Sequence, residues 1–387
     1  MINIEKPWVG DSVAWFTCAS TSGPEYHFDA AAGRYVVLFF FGSAASERNR
    51  AVLDFITNDL RDRFDDKHVA FFGVSVDPGD AEQNRVQESL PGIRYLWDLD
   101  GKISKQYGAV GRNANVQSGE VAYSAYTLVL DPMLRVLESI PLSNNPREHN
   151  FRLKSALNSL PSVDRHADAR LHAPVLILPR VFEPELCQGL MDAYKKHDSA
   201  ESVFVRNQNH PALAVHDDER KRRKDYNLEA DPANASVLDL IRTRVRRRLV
   251  PEIKKVFQFD ATRIERYIVS CYEGDVGGFF RAHRDNVMQG TMHRRFAVTI
   301  NLNAEEYDGG DLVFPEFGTH TYRAPAGGAC IFSCSLLHEA TPVTRGTRYA
   351  FLPFLYDDAA AKQRAENVRL SSGEAGDNTH KLFSDVG

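Results

Sequence analysis

The sequence predicts two domains of different fold class: an α/β domain, followed by a β-sandwich or β-barrel domain with supporting helices. Strand-like and helix-like segments alternate along residues 1–160, which is typical of an α/β sheet. From Arg263 to Tyr356, short β segments are separated by glycine, proline and acidic turns. Residues 161–173 are polar, aperiodic and flanked by prolines, as in a linker. We therefore predict domains at 1–160 and 174–360, joined by this linker, and a polar tail at 361–387.

Composition and charge exclude several classes of partner. The net charge of −5 gives no global attraction to nucleic acid or to anionic membranes. The five cysteines form no C-x-x-C pair, which fits a reducing compartment. The amino terminus lacks a signal-peptide pattern, and no run of eighteen apolar residues occurs. We expect a cytoplasmic protein that binds neither nucleic acid nor membranes.

The first domain contains two strands with apolar side chains on both faces. Tyr35–Gly42 (YVVLFFFG) and Val69–Asp77 (VAFFGVSVD) are continuous apolar runs, as expected of strands in the middle of a covered sheet. A hairpin with Asp131-Pro132 in its turn is predicted across AYTLVLDPMLRVLESI. The segment between the two strands is predicted as a helix because its apolar residues recur at helical spacing: Val52, Phe55, Ile56, Leu60 and Phe64.

This domain resembles the thioredoxin-like fold in its peroxiredoxin (AhpC/TSA) form. The motifs that carry the resemblance are VGDSVAWF, GRYVVLFFFGSAASERN, VSVD, DLDGKISKQYG and YTLVLDP. Where the family places its peroxidatic cysteine this chain has Asn49, three residues after Ser46, and a thioredoxin register places Ala45 and Arg48 at the two cysteines. Cys18, the domain's one thiol, is interpreted as a small buried residue. We expect a redox-inactive domain.

Two alternatives follow from this resemblance. The first is a thiol peroxidase or disulfide oxidoreductase that would have to use Cys18. The second makes the domain a binding or dimerisation module, with a homodimer or a protein partner as its consequence.

An H-x-D pattern occurs twice, and its context separates the two copies. His283 and Asp285 end a predicted strand, FFRAHRDN, so both side chains project to the same face. His166 and Asp168 lie in the polar linker, where no strand would hold them and solvent would surround them. Only the first copy is a candidate metal site.

The second domain supplies a third metal ligand and a cation. His338 ends an apolar strand, and Arg348 follows it by ten residues. Two histidines and one carboxylate on one facet of a metal suit oxygen activation at non-haem Fe(II), although zinc hydrolases use similar ligands.

The same segment resembles the Fe(II)- and 2-oxoglutarate-dependent oxygenases, specifically the prolyl-4-hydroxylase-like branch. The motifs are CYEGDVGGFFRAHRD, YDGGDLVFPEFG, APAGGACIF and HEATPVTRGTRYAF. The resemblance implies a double-stranded β-helix (jelly roll, cupin-like) and a hydroxylase that releases succinate and CO2. It also implies Fe(II), 2-oxoglutarate and O2 as cofactor and cosubstrates, with ascorbate as a reductant of stray Fe(III).

The resemblance also assigns roles to individual residues. It makes His283, Asp285 and His338 the iron ligands. Arg348 would bind the far carboxylate of 2-oxoglutarate, with Arg345 as its rival for that role. The two further pocket residues are predicted to be Tyr272, whose hydroxyl would reach the same carboxylate, and Thr299.

The substrate stays open between a prolyl or other side chain in a peptide and a free small molecule. The polar segment Val205–Tyr226 is the predicted lid, because long loops on rigid sheets carry specificity. A helix at SVLDLIRTRVRRRLVPEIKKVF is expected to bury Leu238, Ile241, Val245, Leu249, Ile253 and Val256 and to expose its arginines. His293 and His320 are expected at the surface, and Cys330 and Cys334 in the core.

Overall fold

The computed structural model describes residues 6–116, 122–205, 221–372 and 384–385. Within these ranges, the side chains of residues 198–205, 368, 370–372 and 384–385 are not described. The chain divides into two compact units. The first unit comprises Met1–His172 with Pro315–Thr319, and the second comprises Ala173–Phe314 with His320–Gly387.

The first unit is built on a seven-stranded sheet. Its strands are β1 (Thr17–Ser20), β2 (Gly23–His27), β3 (Tyr35–Gly42), β4 (Val69–Ser75), β5 (Ile93–Trp97), β6 (Tyr126–Leu130) and β7 (Val136–Pro141). Their order is β2-β1-β5-β4-β3-β6-β7, with β3, β4 and β5 parallel and the β6–β7 hairpin antiparallel. The helices are α1 (Glu47–Asp54), α2 (Pro78–Glu82), α3 (Lys102–Gln106) and α4 (Pro146–Ser159). This is the predicted thioredoxin-like arrangement.

The apolar runs explain why β3 and β4 occupy the centre of this sheet. All eight residues of β3 and all seven of β4 are buried, so both faces of each strand are covered. The predicted helix after β3 is shorter than expected: α1 ends at Asp54 and continues as a π-helical turn, Phe55–Asp59. Its apolar residues still join the core, among them Val52, Ile56, Leu60 and Phe64.

Asn49 holds together the junction between β3 and α1. The side chain is buried, and its Nδ2 donates to the carbonyl oxygens of Phe41 at 2.7 Å and Ser43 at 2.9 Å. An amide NH₂ can donate two hydrogen bonds, whereas a thiol has one weak donor. At the position where the peroxiredoxin family places its peroxidatic cysteine, this chain therefore has an asparagine with a structural function.

Replacing Asn49 by alanine or by cysteine should lower the free energy of unfolding by about 1–3 kcal/mol, because the carbonyls of Phe41 and Ser43 each lose one hydrogen-bond donor. Chemical denaturation of the full chain would measure the loss. Asn58→Ala, at an exposed position of the same unit, should change stability by less than about 0.5 kcal/mol. Equal stability of Asn49→Ala and the parent would refute the structural role.

His166 corrects one expectation for the linker. The residue was expected to be solvated, but it is buried, and its Nε2 lies 3.1 Å from the backbone oxygen of Glu316 within the first unit. Asp168 is exposed, with a φ of 56°. The two side chains therefore form no joint site, as expected, although the reason for His166 is packing and not solvation.

The second unit contains two main antiparallel sheets. Its strands are β8 (Leu176–Leu178), β9 (Lys221–Arg222), β10 (Lys224–Asn227), β11 (Arg263–Glu265), β12 (Ile268–Glu273), β13 (Phe279–His283), β14 (Phe296–Asn301), β15 (Asp308–Gly309), β16 (Leu312–Val313), β17 (Thr321–Tyr322), β18 (Ala329–Ser333), β19 (His338–Ala340), β20 (Val343–Arg345), β21 (Thr347–Phe351), β22 (Phe354–Tyr356) and β23 (Ser384–Asp385). One sheet follows the order β10-β12-β21-β14-β22-β11-β23, with β18 pairing β14 and β8. The other follows β17-β16-β19-β13-β9, and β15 pairs separately with β20. The predicted jelly-roll class is confirmed.

The helices of this unit are α5 (Pro184–Val205), α6 (Ala235–Arg244), α7 (Val250–Phe257) and α8 (Asp358–Ser372). The single helix expected over α6 and α7 is interrupted by a π-helical turn, Val245–Leu249, just before Pro251. Five of the six residues predicted on its buried face are buried, but Val256 is 49% exposed. The tail predicted at 361–387 is helical as far as Ser372, and Ser384–Asp385 pairs with β11.

The predicted lid is only partly described by the structure. Residues 206–220 of Val205–Tyr226 lie outside the described residues, and the remainder forms β9 and most of β10. Among the described residues, no helix combines the length and the apolar character that crossing a membrane requires.

Candidate active site

Two neighbouring strands bring the predicted histidines face to face. His283 on β13 and His338 on β19 are direct cross-strand partners in an antiparallel ladder. Asp285 lies just beyond β13, where its backbone N–H donates to the carbonyl of Cys334 at 3.0 Å. The ladder therefore fixes three residues that are far apart in sequence at one end of the sheet.

The ligand atoms of these three side chains converge. His283 Nε2 lies 3.4 Å from one carboxylate oxygen of Asp285, and His338 Nε2 lies 3.3 Å from the other. One ligand atom from each residue lies within 4.8 Å of the others, which makes the three a possible metal-binding group. The centres of the two imidazole rings are 4.4 Å apart, and the ring of Phe280 stacks on that of His283 with their centres 3.7 Å apart.

Backbone carbonyls set the orientation of both imidazoles. His283 Nδ1 lies 2.8 Å from the oxygen of Arg281, and His338 Nδ1 lies 3.0 Å from the oxygen of Leu336. A carbonyl oxygen can only accept, so Nδ1 carries the proton in each ring and donates it. Each Nε2 then presents a lone pair to the centre of the group, as metal-binding histidines require.

The charge states also suit a metal ligand set. Burial, reinforced by the neighbouring His283, lowers the pKa of His338 to about 4, so this imidazole is neutral at pH 7. Burial raises the pKa of Asp285, but the two neighbouring imidazoles lower it by more, to about 2. The group therefore offers a carboxylate and at least one neutral imidazole at neutral pH.

Arg348 extends into the same cavity with nitrogen atoms that have no partner. Its side chain is 2% exposed, and neither Nε nor Nη1 makes a hydrogen bond within the part of the chain that the structure describes. Gly310 makes room for it, because a Cβ there would lie 2.9 Å from Arg348 Cδ. A buried guanidinium without an acceptor is unfavourable by itself, and it indicates a place for an anion.

The rival cation lies elsewhere. Arg345 is exposed, and its Nε donates to a carboxylate oxygen of Asp308 at 2.6 Å. Of the two arginines near this turn, only Arg348 lines the cavity that holds the three metal-ligand candidates.

Tyr272 and Thr299 also line this cavity. Tyr272 is the cross-strand partner of Arg348, whose guanidinium carbon lies 4.7 Å from the centre of the tyrosine ring. The tyrosine hydroxyl accepts a hydrogen bond of 2.9 Å from Nη1 of Arg223. Thr299 is buried on β14 opposite Cys330.

Two charged cavity residues were missed by sequence reasoning. Arg223 lies between β9 and β10, and Arg266 lies between β11 and β12. Arg223 stands in a polar segment without periodicity, and Arg266 in a short connection, so neither position carries a local signal of function. The run of basic residues RKRRK, which includes Arg223 and ends at Lys224, was the one available hint.

The cavity lies between the two sheets and is mainly apolar. Its free space is about 490 Å³, part of which is open to solvent. Strands of both sheets contribute apolar residues to its wall: Phe280, Leu312, Phe332, Ala340, Leu352 and Phe354. An apolar cavity with a few convergent polar groups is typical of a small-molecule or catalytic site.

A buried cluster of charged side chains, centred on Glu265, lies near Asp285. Glu265 contacts His293 Nε2 at 3.0 Å, Arg294 Nε at 2.6 Å and Arg364 Nη1 at 2.6 Å. His293 is 1% exposed, so its expected position at the surface is wrong. Its partner lies 28 residues earlier in the chain, and a contact of that separation leaves no pattern in the sequence.

This cluster predicts a pH-dependent contribution to stability. Burial raises the pKa of Glu265, but the hydrogen bond from His293 and the charges of Arg294 and Arg364 lower it to about 2, from 4.5. The folded pKa is depressed, so the contribution is complete above about pH 5 and is lost as pH falls towards 2. Glu265→Gln should lower the unfolding free energy by about 3 kcal/mol at pH 7.

The deficit of Glu265→Gln should shrink by about 2 kcal/mol between pH 7 and pH 3, since only the parent has the contribution of Glu265 to lose there. Urea denaturation at several pH values measures it. Glu252→Gln, which removes an exposed partner of Lys255, should show no such trend. A deficit independent of pH would contradict the depressed pKa.

Comparison with known families agrees with this geometry. Residues 267–356, which include all three metal-ligand candidates and Arg348, match the 2OG-Fe(II) oxygenase superfamily. The second unit contains a 2OG-Fe(II) oxygenase domain. Residues 9–137 match the AhpC/TSA family, so the first unit contains an AhpC/TSA domain.

The oxygenase domain has curated relatives named PKHD-type hydroxylases. One from Cupriavidus metallidurans is 42% identical over 108 residues, which cover 26% of this chain and 46% of that protein. One from Pseudomonas paraeruginosa is 36% identical over 111 residues, 27% of this chain and 47% of that protein. The chain thus spans about half the length of the curated relatives that it matches.

Solved structures similar to each unit are also known. A prolyl-4-hydroxylase of Pseudomonas putida is 18% identical, with a TM-score of 0.35, and the match covers 48% of this chain and 92% of that one. Peroxidoxin BcpB of Mycobacterium tuberculosis is 21% identical, with a TM-score of 0.33, and the match covers 40% and 99%.

The side chains of the oxygenase domain fit the two groups that the family name specifies. Two imidazoles and one carboxylate on one side of a common centre are a donor set suited to Fe(II) with open positions. The unpartnered guanidinium of Arg348 fits a carboxylate, which it can bind through two parallel hydrogen bonds. These are properties of the chain's own residues.

Proposed function

We propose that the protein is an Fe(II)- and 2-oxoglutarate-dependent hydroxylase of an amino-acid side chain, in a peptide or in a small molecule, that releases succinate and CO2. One observation carries this proposal: His283, Asp285 and His338 converge in a single cavity with the buried Arg348, two of whose guanidinium nitrogens have no hydrogen-bond partner among the described residues. Zinc hydrolysis would use the three ligands but would leave the buried guanidinium without a function.

In this proposal, three side chains hold the ferrous ion. His283 and His338 would bind it through Nε2, since the backbone carbonyls at Arg281 and Leu336 keep the proton on Nδ1. Asp285 would bind it as a carboxylate. When bound, Fe(II) and 2-oxoglutarate supply the activation of O2 and the hydroxylation of a C–H bond.

The remaining polar residues would position the cosubstrate. Arg348 would bind the carboxylate distant from the metal and would stay charged there, because guanidinium does not lose its proton in proteins. Tyr272 would act beside it, with its hydroxyl held by Arg223. Thr299 would line the same end of the pocket, and the apolar wall formed by Phe280, Leu312 and Phe332 would exclude water.

The substrate class and the setting are also proposals. The relatives' name, hydroxylase, supports hydroxylation, and we propose a prolyl or other amino-acid side chain as its target, with no nucleic acid or membrane as partner. Ascorbate would return stray Fe(III) to the ferrous state. Five free cysteines support a reducing, cytoplasmic location.

We propose a non-catalytic role for the first unit, as a binding or dimerisation module. Its single cysteine supports this. Cys18 is half-buried, not fully buried as expected, but desolvation and the nearby Asp98 raise its pKa to about 12, so almost no thiolate exists at pH 7. Thiol peroxidase activity needs that thiolate. The mass of the full chain in solution, measured by light scattering, distinguishes a homodimer from a monomer that awaits another protein.

The proposed reaction is tested by measuring succinate formation. The purified full chain with Fe(II), 2-oxoglutarate, O2 and ascorbate is assayed against a panel of prolyl peptides, other peptides and free amino acids, with His283→Ala as the blank. We expect succinate to form and to rise with at least one compound of the panel. Succinate at the level of the blank throughout, with ferrous ion bound, would refute the proposal.

A further inference from the structure

The cavity of the oxygenase domain contains more positive charge than the cosubstrate uses. Arg223 and Arg266 line it together with Arg348. The side chain of Arg223 is 5% exposed, and its guanidinium carbon lies 4.8 Å from the ring centre of Phe280, the residue stacked on His283. Both additional arginines therefore belong to the immediate surroundings of the metal-ligand candidates.

Arg223 donates two hydrogen bonds, and its buried Nε makes none among the described residues. Nη1 donates to the hydroxyl of Tyr272 at 2.9 Å, and Nη2 donates to Asp225 at 3.2 Å. Its Nε lies 3.1 Å from the other carboxylate oxygen of Asp225. This arginine is held in place and contributes mainly its charge.

Arg266 is held far less tightly. Its nearest ionic partner among the described residues is Asp225, 3.8 Å from Nη2, and its guanidinium carbon lies 5.4 Å from the ring centre of Phe354. Its backbone has a φ of 64°, in the left-handed region that residues other than glycine rarely adopt. Backbone strain of this kind is common at ligand-binding positions.

Asp225 cannot neutralise both arginines. Its carboxylate contacts Arg223 and Arg266 and also accepts a hydrogen bond of 2.5 Å from Ser270. The guanidinium carbon of Arg294 lies 4.0 Å from the centre of the same Phe354 ring, but Arg294 is already paired with Glu265. Burial and repulsion from Arg223 lower the pKa of Arg266 by more than the nearby carboxylates of Asp225 and Asp285 raise it.

The charge excess persists when the groups of the proposed reaction are added. The divalent ion and the three guanidiniums exceed by one charge the carboxylates of Asp225 and Asp285 and the dianionic cosubstrate. Arg266, whose side chain is 30% exposed and lies 3.8 Å from the carboxylate of Asp225, is the additional arginine whose charge is less closely paired. A substrate with one negative charge near Arg266 would remove the excess.

We propose that Arg266, supported by Arg223, forms a binding site for a carboxylate of the primary substrate. The inference rests on the proposed function and narrows its substrate class to molecules with an anionic group beside the residue that is hydroxylated. That carboxylate has two sources, the α-carboxylate of a free or C-terminal amino acid and an acidic side chain in a peptide. Arg266 supplies the hydrogen bonds, because both terminal nitrogens of Arg223 already donate to Tyr272 and Asp225, whereas Arg266 has one ionic contact of 3.8 Å.

The test measures binding with two matched pairs of probes. The full chain, loaded with Fe(II) and 2-oxoglutarate without oxygen, is titrated calorimetrically with N-acetylproline and its amide, and with acetyl-Pro-Glu-amide and acetyl-Pro-Gln-amide. In at least one pair, the acid should bind about tenfold tighter than its neutral partner. A preference in the first pair indicates an α-carboxylate, and a preference in the second indicates an acidic side chain.

Two variants with the same loss of charge locate the effect. In Arg266→Gln the preference for the acid should fall to about one, whereas Arg345→Gln, which changes an exposed arginine of the same unit, should keep it. If the melting temperature of Arg266→Gln equals that of the parent, the variant is folded. No preference in either pair, a preference that survives in Arg266→Gln, or one lost equally in Arg345→Gln would overturn the inference.

The same titration separates this inference from the proposed function. Binding of 2-oxoglutarate is measured first, with and without Fe(II). If 2-oxoglutarate shows no Fe(II)-dependent binding, the proposed function fails and the inference fails with it. Normal binding of 2-oxoglutarate without any preference for acidic probes refutes the inference alone.

Discussion

Replacement of His338 by alanine should abolish stable ferrous binding and reduce succinate formation by at least about 100-fold. Loss of a residue that only orients a metal ligand typically costs 10–100-fold, and loss of a ligand costs more. His338 is fully enclosed, with Nδ1 bonded to a backbone carbonyl and Nε2 aimed at Asp285. Anaerobic titration with Fe(II) and the succinate assay measure the two effects.

His320→Ala is the matched control for His338→Ala. His320 lies in the same unit but does not line the cavity, so its loss should leave ferrous affinity within about twofold of the parent. If His338→Ala bound Fe(II) as tightly as this control, the three side chains would not be the metal site.

Arg348→Met should weaken 2-oxoglutarate binding by at least about 30-fold while ferrous binding is retained. Removing one partner of a buried, hydrogen-bonded charge pair costs about 2–5 kcal/mol. Methionine fills similar volume without charge, so the free protein should not lose stability, since the guanidinium that it replaces lacks an acceptor on two of its nitrogens. Calorimetry measures the first effect, and thermal unfolding without ligand measures the second.

The ligand-induced rise in melting temperature separates Arg348 from its neighbour in sequence. The parent loaded with metal should be stabilised by 2-oxoglutarate, because a ligand that binds only the folded state raises stability by mass action. Arg348→Met should lose this rise, and Arg345→Met, which changes an exposed ion pair with Asp308, should keep it. Equal rises in both variants would exclude Arg348 as the carboxylate-binding residue.

Elements with strong local patterns could be predicted from the sequence. The apolar runs at β3 and β4 predicted the centre of the first sheet because strands covered on both faces need apolar side chains throughout. The interruption between α6 and α7 could not be predicted in the same way. The helical spacing continues across Val245–Leu249, but the π-helical turn shifts the following residues, and Val256 is exposed.

The site shows the same division between local and tertiary signals. The motifs that resemble the oxygenase family contain four residues of the site: His283, Asp285, His338 and Arg348. The structure brings all four to one cavity. The ten-residue interval favoured Arg348 over Arg345, but its burial is a property of the folded sheet.

Arg223 and Arg266 could not be found in this way. They reach the cavity from short connections between strands, and their partner Asp225 contacts both only after β10 pairs with β12. Contacts that form through tertiary packing, without a motif at either end, are not visible in a single sequence.

The direct pairing of His283 with His338 makes the alignment of two strands part of the catalytic apparatus. Side chains alternate between the faces of a strand, so a slip of one residue along β19 would turn one imidazole away from the other. A single-residue insertion or deletion within β13 or β19 would therefore do more harm than most substitutions in the wall of the cavity. The number of residues within these two strands is therefore constrained, as well as the identity of the histidines.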